Sequence, residues 1–166
     1  VFKDFTNTYG SGFFAKFSKD MKKLFLTLLL FCGAFLAFAD ANWTDNFRLA
    51  TELAQKENKP ILMLFSGSDW CGFCIKMEQN AFGVPSFGDF LNKNFVLFKA
   101  DFPSRKQIPE DIRKQNSQLS KKYAIPGYPT VVIISPDGKE LTRTGFIRGD
   151  VNDYLKHYQD ILNKIK

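Results

Sequence analysis

The chain has 166 residues, of which 45% are hydrophobic, and it carries a formal net charge of +6. This length suits one compact domain with a real core rather than two domains. Because the excess charge is small and no run of Lys and Arg is interleaved with aromatic residues, the sequence predicts no nucleic-acid partner.

Residues 21–39 have the pattern of a secretory signal peptide. Residues 21–23 form a short, positively charged n-region, and residues 24–38 are almost wholly apolar. Ala37-Phe38-Ala39 is a small-x-small cleavage site before Asp40. A membrane anchor is the alternative, but the apolar run is shorter than the roughly 20 residues that a spanning helix needs. The sequence therefore predicts a protein that is periplasmic or otherwise secreted after cleavage near Ala39.

The signal peptide divides the chain into three parts. Residues 1–20 precede it without clear periodicity, so we interpret them as an upstream extension outside the fold. Residues 40–166 form the expected mature domain of 127 residues, with 18 basic and 15 acidic side chains. Cys32 leaves with the signal peptide, so the mature domain keeps Cys71 and Cys74 in a compartment that permits disulfides.

The mature domain alternates helical and strand patterns. Continuous apolar runs of strand length favour strands that are covered on both faces. The predicted elements are, in chain order, a helix over 43–58 capped by Thr44, a strand over 61–65, a helix from 71 to a break at 84–86, a short helix over 86–92, a strand over 95–100, a surface helix over 110–123, strands over 130–134 and 140–144, and a helix capped by Asp150 and ending near 165.

These elements predict an α/β fold. A helical crossover joins the first two strands, which requires them to be parallel. In the turn Pro136-Asp137-Gly138, Pro pre-sets φ and Gly tolerates positive φ, so the last two strands form an antiparallel hairpin. A mixed four-stranded sheet with helices on both faces follows.

Cys71 and Cys74 form a C-x-x-C motif between a predicted strand and a predicted helix. A cysteine at a helix N-terminus faces unsatisfied N–H groups that stabilise its thiolate, which is the nucleophile. A cysteine three residues later can attack the resulting mixed disulfide and release the substrate. Closing so short a loop removes little chain entropy, which makes a structural disulfide the weaker interpretation. We therefore expect Cys71 to be the exposed catalytic nucleophile and Cys74 the buried catalytic partner.

Zinc is the other common ligand of a C-x-x-C motif. A zinc site normally needs two more ligands, and the mature domain offers only His157, far away in the last predicted helix. The sequence therefore predicts no metal site, and nothing in it points to a cofactor.

Two stretches together resemble the thioredoxin superfamily: residues 65–74, which read FSGSDWCGFC, and residues 127–130, which read GYPT. The WCxxC and G-x-P-T elements occur in the family's order and on its elements, and the resemblance covers about residues 43–165. Four shorter stretches are similar to secreted disulfide reductases of the DsbH type: FSGSDWC, residues 75–77, residues 99–103 and residues 144–146. The resemblance implies a thioredoxin-like fold.

The resemblance also implies roles for residues outside the cysteine pair. The family's proline before Thr130 is cis and faces the C-x-x-C, which implies a cis peptide bond at Pro129. That bond would hold Tyr128 so that its backbone pairs with an extended substrate segment. A plain turn before a strand is the alternative. Trp70 flanks the site, where packing is the alternative to a contact with substrate. The predicted substrate-binding residues are Trp70, Tyr128 and Pro129.

Some positions depart from the family pattern or have an ordinary interpretation. Phe65 stands where thioredoxin carries a buried carboxylate that assists proton transfer to the inner cysteine. Lys99 matches either the family's semi-buried lysine or an exposed lysine at a strand end. The dipeptide Gly72-Phe73 differs from thioredoxin's Gly-Pro, which leaves the direction of electron flow open. We interpret Asp69 as a solvated acid in a turn.

Three functions compete on the sequence alone. The first is reduction or isomerisation of disulfides in exported proteins by Cys71 attack and Cys74 resolution, with a membrane electron donor of the thiol-reducing type. The second is an oxidase that donates its disulfide, although DsbA-type oxidases carry an inserted helical domain and only 54 residues separate Cys74 from Pro129. The third is a non-catalytic binding module of thioredoxin fold. We expect a monomer, because the sequence contains no dimerisation segment.

Overall fold

The computed structural model describes residues 41–165. The predicted upstream extension, the signal peptide and its cleavage site lie outside the described residues. The elements are, in chain order, β1 (Trp43–Thr44), α1 (Phe47–Glu57), β2 (Ile61–Ser66), α2 (Gly72–Met77), a π-helical turn (Glu78–Phe82), α3 (Pro85–Asn94), β3 (Val96–Asp101), α4 (Glu110–Lys122), β4 (Thr130–Ile134), β5 (Glu140–Gly145) and α5 (Val151–Ile165). Within residues 41–165, no helix is both long and apolar enough to cross a membrane.

The sheet is mixed and has five strands in the order β1-β3-β2-β4-β5. As predicted, β2 is parallel to β3, and β4 and β5 form an antiparallel hairpin. The strand that the sequence did not predict is β1, whose Trp43 and Thr44 pair in parallel with Leu97 and Phe98 at the edge of β3. The expected four strands are therefore corrected to five, since two residues are too few to show the alternation that marks a strand.

Helix α1 begins later than predicted because of this edge strand. The prediction of Thr44 as its N-cap is wrong. The cap is Asn46, whose side chain accepts a hydrogen bond from the N–H of Leu49 at 3.0 Å. Thr44 belongs to β1, and its Oγ1 accepts from the N–H of Asn46 at 3.2 Å. Thr and Asn are both good N-caps, so the pairing of β1 with β3 decides which of them is used.

The core lies on both faces of the sheet, as the continuous apolar runs predict. Every residue of β2 and of β4 is buried. One face packs against α3 and α5, with Phe87, Leu91 and Tyr154 in the contact. The other face packs against α1 and α4 through Ala50, Ala54 and Leu119. The prediction of helices on both faces is confirmed.

Local signals at turns and caps were also predictive. Asp150 caps α5 by accepting a hydrogen bond from the N–H of Asn152 at 2.8 Å. Pro85 occupies the first turn of α3, where its missing N–H costs nothing. Gly138 has φ of +87°, which makes it the turn residue between β4 and β5 that needs the freedom of glycine.

The topology brings three chain segments to one end of the sheet. β2 and β3 are parallel, so Ser66 and Asp101 end side by side. β4 runs antiparallel to β2, and Thr130 at its start pairs with Phe65. The loop that carries Cys71, the loop after β3 and the segment that precedes Thr130 therefore meet at this end.

Candidate active site

Cys71 is the N-cap of α2, and its sulfur is bonded to that of Cys74, with the two Cα atoms 5.2 Å apart. The backbone N–H of Cys74 donates to Sγ of Cys71 at 3.2 Å. The N–H groups at the start of a helix have no partner within the helix and stabilise negative charge. The geometry therefore favours the thiolate form of Cys71 once the disulfide is reduced.

The two cysteines differ little in exposure. Cys71 is 7% exposed and Cys74 is 5% exposed. The sequence-based expectation of an exposed Cys71 is not met in this disulfide-bonded state. The Tyr128 carbonyl oxygen lies 3.6 Å from its sulfur.

The segment before β4 lies beside the cysteine pair. The peptide bond between Tyr128 and Pro129 is cis, and Oγ1 of Thr130 donates to the Gly127 carbonyl at 2.8 Å. Among the described residues, apart from chain neighbours and the backbone of the same helix, no atom would lie within 4 Å of a Cβ added at Gly72 or at Gly127. The backbone on both sides of the disulfide is therefore open to an approaching chain.

Aromatic side chains surround the disulfide. Trp70 is 51% exposed, and its Nε1 donates to the Phe102 carbonyl at 2.8 Å. The Tyr128 ring meets Trp70 edge to face at 5.9 Å and stacks on Phe102 at 5.0 Å between ring centroids. The structure thus brings the predicted residues Trp70 and Tyr128 together, and it adds Phe102, which sequence reasoning missed.

A second exposed aromatic pair lies on the other side of the motif. Phe73 is 58% exposed and contacts Phe146 with 5.1 Å between ring centroids. Phe73 stands between the cysteines, and Phe146 follows β5 directly. The disulfide is therefore flanked by apolar rings from separate parts of the chain.

Two carboxylates join the cysteine loop to the loop after β3. Asp69 accepts hydrogen bonds from the backbone N–H groups of Ser104, Arg105 and Lys106 at 2.8, 2.7 and 3.1 Å. These bonds, that from Ser104 above all, hold the pKa of the Asp69 carboxyl below its ordinary value. Asp69 lies in a turn, as predicted, but its carboxylate is bound by backbone groups, and such partners leave no mark in the sequence.

Asp101 makes the second connection between these loops. Its carboxylate accepts from the N–H of Ser68 at 3.0 Å and from the hydroxyl of Ser68 at 2.6 Å. The indole of Trp70 lies over Gly67, where a Cβ would come within 2.5 Å of the ring. A glycine before Ser68 therefore lets the tryptophan fold back across the loop.

The Lys99 side chain is partly buried, rather than exposed at the end of a strand. Its side chain is 27% exposed, and its Nζ lies 3.5 Å from Oε2 of Glu78. Both residues line a cavity of about 250 Å³ that also contacts Cys74. Phe65, at the position of thioredoxin's acid, is fully buried.

Within the described part of the chain, no group of three or more His, Cys, Asp and Glu side chains is placed to hold a metal ion. His157 is engaged elsewhere, with its Nε2 2.8 Å from Oγ1 of Thr144.

Known proteins resemble this chain in both sequence and structure. The thioredoxin-like domain family matches residues 47–159. The chain belongs to this family. This thioredoxin-like chain is 33% identical over 127 residues to the disulfide bond reductase DsbH of Chlamydia pneumoniae, a match that covers 76% of each protein. It also resembles a solved structure of a DsbH oxidoreductase, with a TM-score of 0.73 and 32% identity over 78% of this chain and 90% of the other.

A longer relative shares only the thioredoxin-like part. The thioredoxin-related protein DsbJ of Chlamydia pneumoniae is 29% identical over 113 residues, which cover 68% of this chain and 32% of DsbJ. The family membership, the DsbH-type likeness and the Cys71–Cys74 pair identify this thioredoxin-like chain as a thiol–disulfide oxidoreductase.

Proposed function

We propose that this oxidoreductase reduces disulfides in exported proteins, with Cys71 as the attacking nucleophile and Cys74 as the resolving thiol. The observation that carries the proposal is the position of Cys71 at the N-cap of α2, where the N–H of Cys74 meets its sulfur at 3.2 Å. The reductive direction is supported by the likeness to a protein named a disulfide bond reductase.

The chemistry proceeds in two exchanges. The Cys71 thiolate attacks one sulfur of a client disulfide, and the other client sulfur leaves and takes up a proton. The Cys74 thiolate then attacks Sγ of Cys71, which releases the second client sulfur and forms the Cys71–Cys74 disulfide. The client gains two electrons, which the cysteine pair loses.

We assign substrate binding to Trp70, Tyr128 and Pro129. The Tyr128 carbonyl lies 3.6 Å from the nucleophilic sulfur, and its backbone would pair with an extended client segment as an added strand does. The exposed indole of Trp70 packs against the ring of Tyr128. An unfolded client segment would thus cross the disulfide between Gly72 and Gly127, where the backbone is open.

The residues around the cysteine pair offer little extra stabilisation of the reduced form, which a strong oxidant requires. Strong oxidants of this class have an unusually stable reduced form. Phe73, between the cysteines, adds no positive charge to stabilise a thiolate. The 54 residues between Cys74 and Pro129 contain the π-helical turn, α3, β3 and α4 of the basic fold and no inserted helical domain.

The proposal extends to location and partners. Residues 21–39 act as a signal peptide that is cleaved near Ala39, and residues 40–166 work in the periplasm or otherwise outside the cytoplasm as a monomer. A membrane electron donor of the thiol-reducing type returns the Cys71–Cys74 pair to the dithiol. Intact-mass measurement of protein recovered from the cell envelope tests the cleavage, and retention of residues 21–39 would reject it.

The reduction potential of the Cys71–Cys74 couple tests the direction of electron flow. The protein is equilibrated with graded ratios of reduced and oxidised glutathione, and free thiols are counted after acid quenching. We expect a midpoint nearer the value of about −270 mV for thioredoxin than the value of about −120 mV for the oxidase DsbA. A midpoint close to that of DsbA would reject the reductase and favour the oxidase.

A further inference from the structure

A cavity of about 420 Å³ lies between the loop after β3 and helix α4. Its lining is part apolar and part polar. Phe102 and Ile108 are among the apolar residues, and the charged residues of the lining are Asp101, Lys106 and Arg113. Which ligand charge the cavity favours depends on which of these three charged groups already has a partner.

Two of the three charged groups are engaged within the protein. The Asp101 carboxylate accepts hydrogen bonds from the N–H and the hydroxyl of Ser68 at 3.0 and 2.6 Å. Nη2 of Arg113 lies 2.6 Å from Oε2 of Glu110. Lys106 is exposed, and its ammonium group has no ion pair among the described residues. The cavity therefore carries one unpaired positive charge.

The cavity adjoins the proposed client site. Phe102 belongs to both, because it lines the cavity and its ring stacks on that of Tyr128. The Tyr128 carbonyl lies 3.6 Å from Sγ of Cys71. The backbone N–H of Lys106 donates to the carboxylate of Asp69, two residues before Cys71, at 3.1 Å. A client segment that is paired with the Tyr128 backbone would therefore pass this cavity on one side of its cysteine.

The other flank of the disulfide has a different charge pattern. Phe146 is followed two residues later by the exposed Arg148, but Asp150 and Asp153 come next, at the start of α5. Positive and negative side chains are thus mixed on that flank. A preference for client charge should therefore depend on which side of the client cysteine carries it.

We propose that the cavity receives an acidic side chain of the client, two to four residues from the client cysteine, and that Lys106 is the specificity-determining residue that pairs with it. An extended segment advances about 3.4 Å per residue, so a side chain at this spacing reaches past the Tyr128 and Phe102 rings, whose centroids are 5.0 Å apart. The inference rests on the proposed function and names its substrate class, which is client segments with an acid on one side of the cysteine.

The test measures the reduction of peptide disulfides. Reduced enzyme is mixed with symmetric disulfide-linked dimers of a short peptide that has one cysteine, and the peptide thiol released is counted after acid quenching. One set of peptides carries Glu two, three or four residues before the cysteine, a second set carries it after the cysteine, and a reference peptide has Gln instead. Each rate is divided by the rate of the same peptide with dithiothreitol, which removes differences in intrinsic reactivity.

One of the two sets should be favoured by the wild-type enzyme. We expect its best peptide to be reduced about threefold faster than the Gln peptide at low salt, which is within the range of exposed ion pairs. The advantage should shrink as the salt concentration rises. Lys106→Gln should abolish the preference and Lys106→Glu should reverse it, while both variants reduce the Gln peptide at the wild-type rate.

Lys114→Glu is the matched control. Lys114 is also an exposed lysine without an ion pair among the described residues, and it lies on α4 next to Arg113. It does not line the cavity. This variant makes the same change in net charge as Lys106→Glu and should keep the wild-type preference.

Two results would overturn the inference. The first is a wild-type enzyme that reduces all the peptides at equal normalised rates, which would leave the proposed function standing. The second is a preference that Lys106→Glu and Lys114→Glu weaken equally, which would assign it to the net charge of the protein. If the reduced wild-type enzyme releases no thiol from any peptide, the proposed function itself is wrong and this inference falls with it.

Discussion

Phe65 on β2 pairs with Thr130 on β4, and this register places the Tyr128–Pro129 peptide bond beside the loop that begins after Ser66. Cys71 follows five residues after the end of β2, and its sulfur comes to lie 3.6 Å from the Tyr128 carbonyl. A strand pairing deep in the sheet thus sets the distance between the nucleophile and the backbone that would hold a client.

The roles of the two cysteines can be separated by single substitutions. Cys74→Ser should accumulate mixed disulfides with client proteins, because resolution is lost. Cys71→Ser should accumulate none and should not reduce insulin. Non-reducing gels and mass spectrometry of captured species give the readout. Faster alkylation of Cys74 than of Cys71 in the reduced protein at neutral pH would show that the assignment is reversed.

Trp70→Ala should weaken client reduction without disabling the cysteines. It removes the hydrogen bond to the Phe102 carbonyl and the contact with Tyr128. Because the indole is half exposed, the free energy of unfolding should fall by only about 1 kcal/mol. The KM for a protein client should rise several-fold while the rate with a small disulfide stays near the wild-type value.

Leu49→Ala is the control for Trp70→Ala. Leu49 is also a large exposed hydrophobic residue, 43% exposed, but it lies on α1 away from the cysteine loop. The Leu49→Ala variant should therefore have the wild-type KM for a protein client. Equal losses with protein clients and small disulfides in Trp70→Ala would instead assign the tryptophan to the cysteine environment.

Gly67→Ala should displace the Trp70 indole. A Cβ at this position would lie 2.5 to 2.8 Å from three atoms of the ring, and the half-exposed side chain can swing outward to relieve the clash. The NMR signal of the indole N–H should then lose the shift caused by its bond to Phe102. Gly127→Ala is the comparison, because its Cβ meets no described atom within 4 Å beyond its two chain neighbours, and it should leave that signal in place.

Asp69→Asn should loosen the loop after β3 in a pH-dependent way. The pKa of Asp69 is lowered in the folded protein, so its stabilising effect is present above the unfolded pKa of about 3.9 and is lost as pH falls through the folded value. Hydrogen exchange at Ser104, Arg105 and Lys106 should be faster in the variant near neutral pH. Urea unfolding should show a difference in stability between wild type and variant that shrinks in strong acid. A difference that stays constant across the pH range would contradict the ion–amide interaction.

Much of the fold follows from local patterns. The continuous apolar runs of β2 and β4, the turn at Gly138 and the cap at Asp150 each depend on a few neighbouring residues. The short strand β1 could not be predicted from local patterns, because two residues are too few to show an alternation of apolar and polar side chains. Its pairing depends on the free edge of β3.

Residue types at short spacing were enough to predict the reactive pair, its place between a strand and a helix, and the family to which the chain belongs. How the loops and strands around that pair are joined was visible only once the chain was folded. Asp69 is bound by backbone amides that begin 35 residues later, and Lys99 faces Glu78 across 21 residues of chain. Such contacts depend on how loops and strands meet in space, since a backbone amide is the same at every position and an acid or a lysine has no partner until the chain folds.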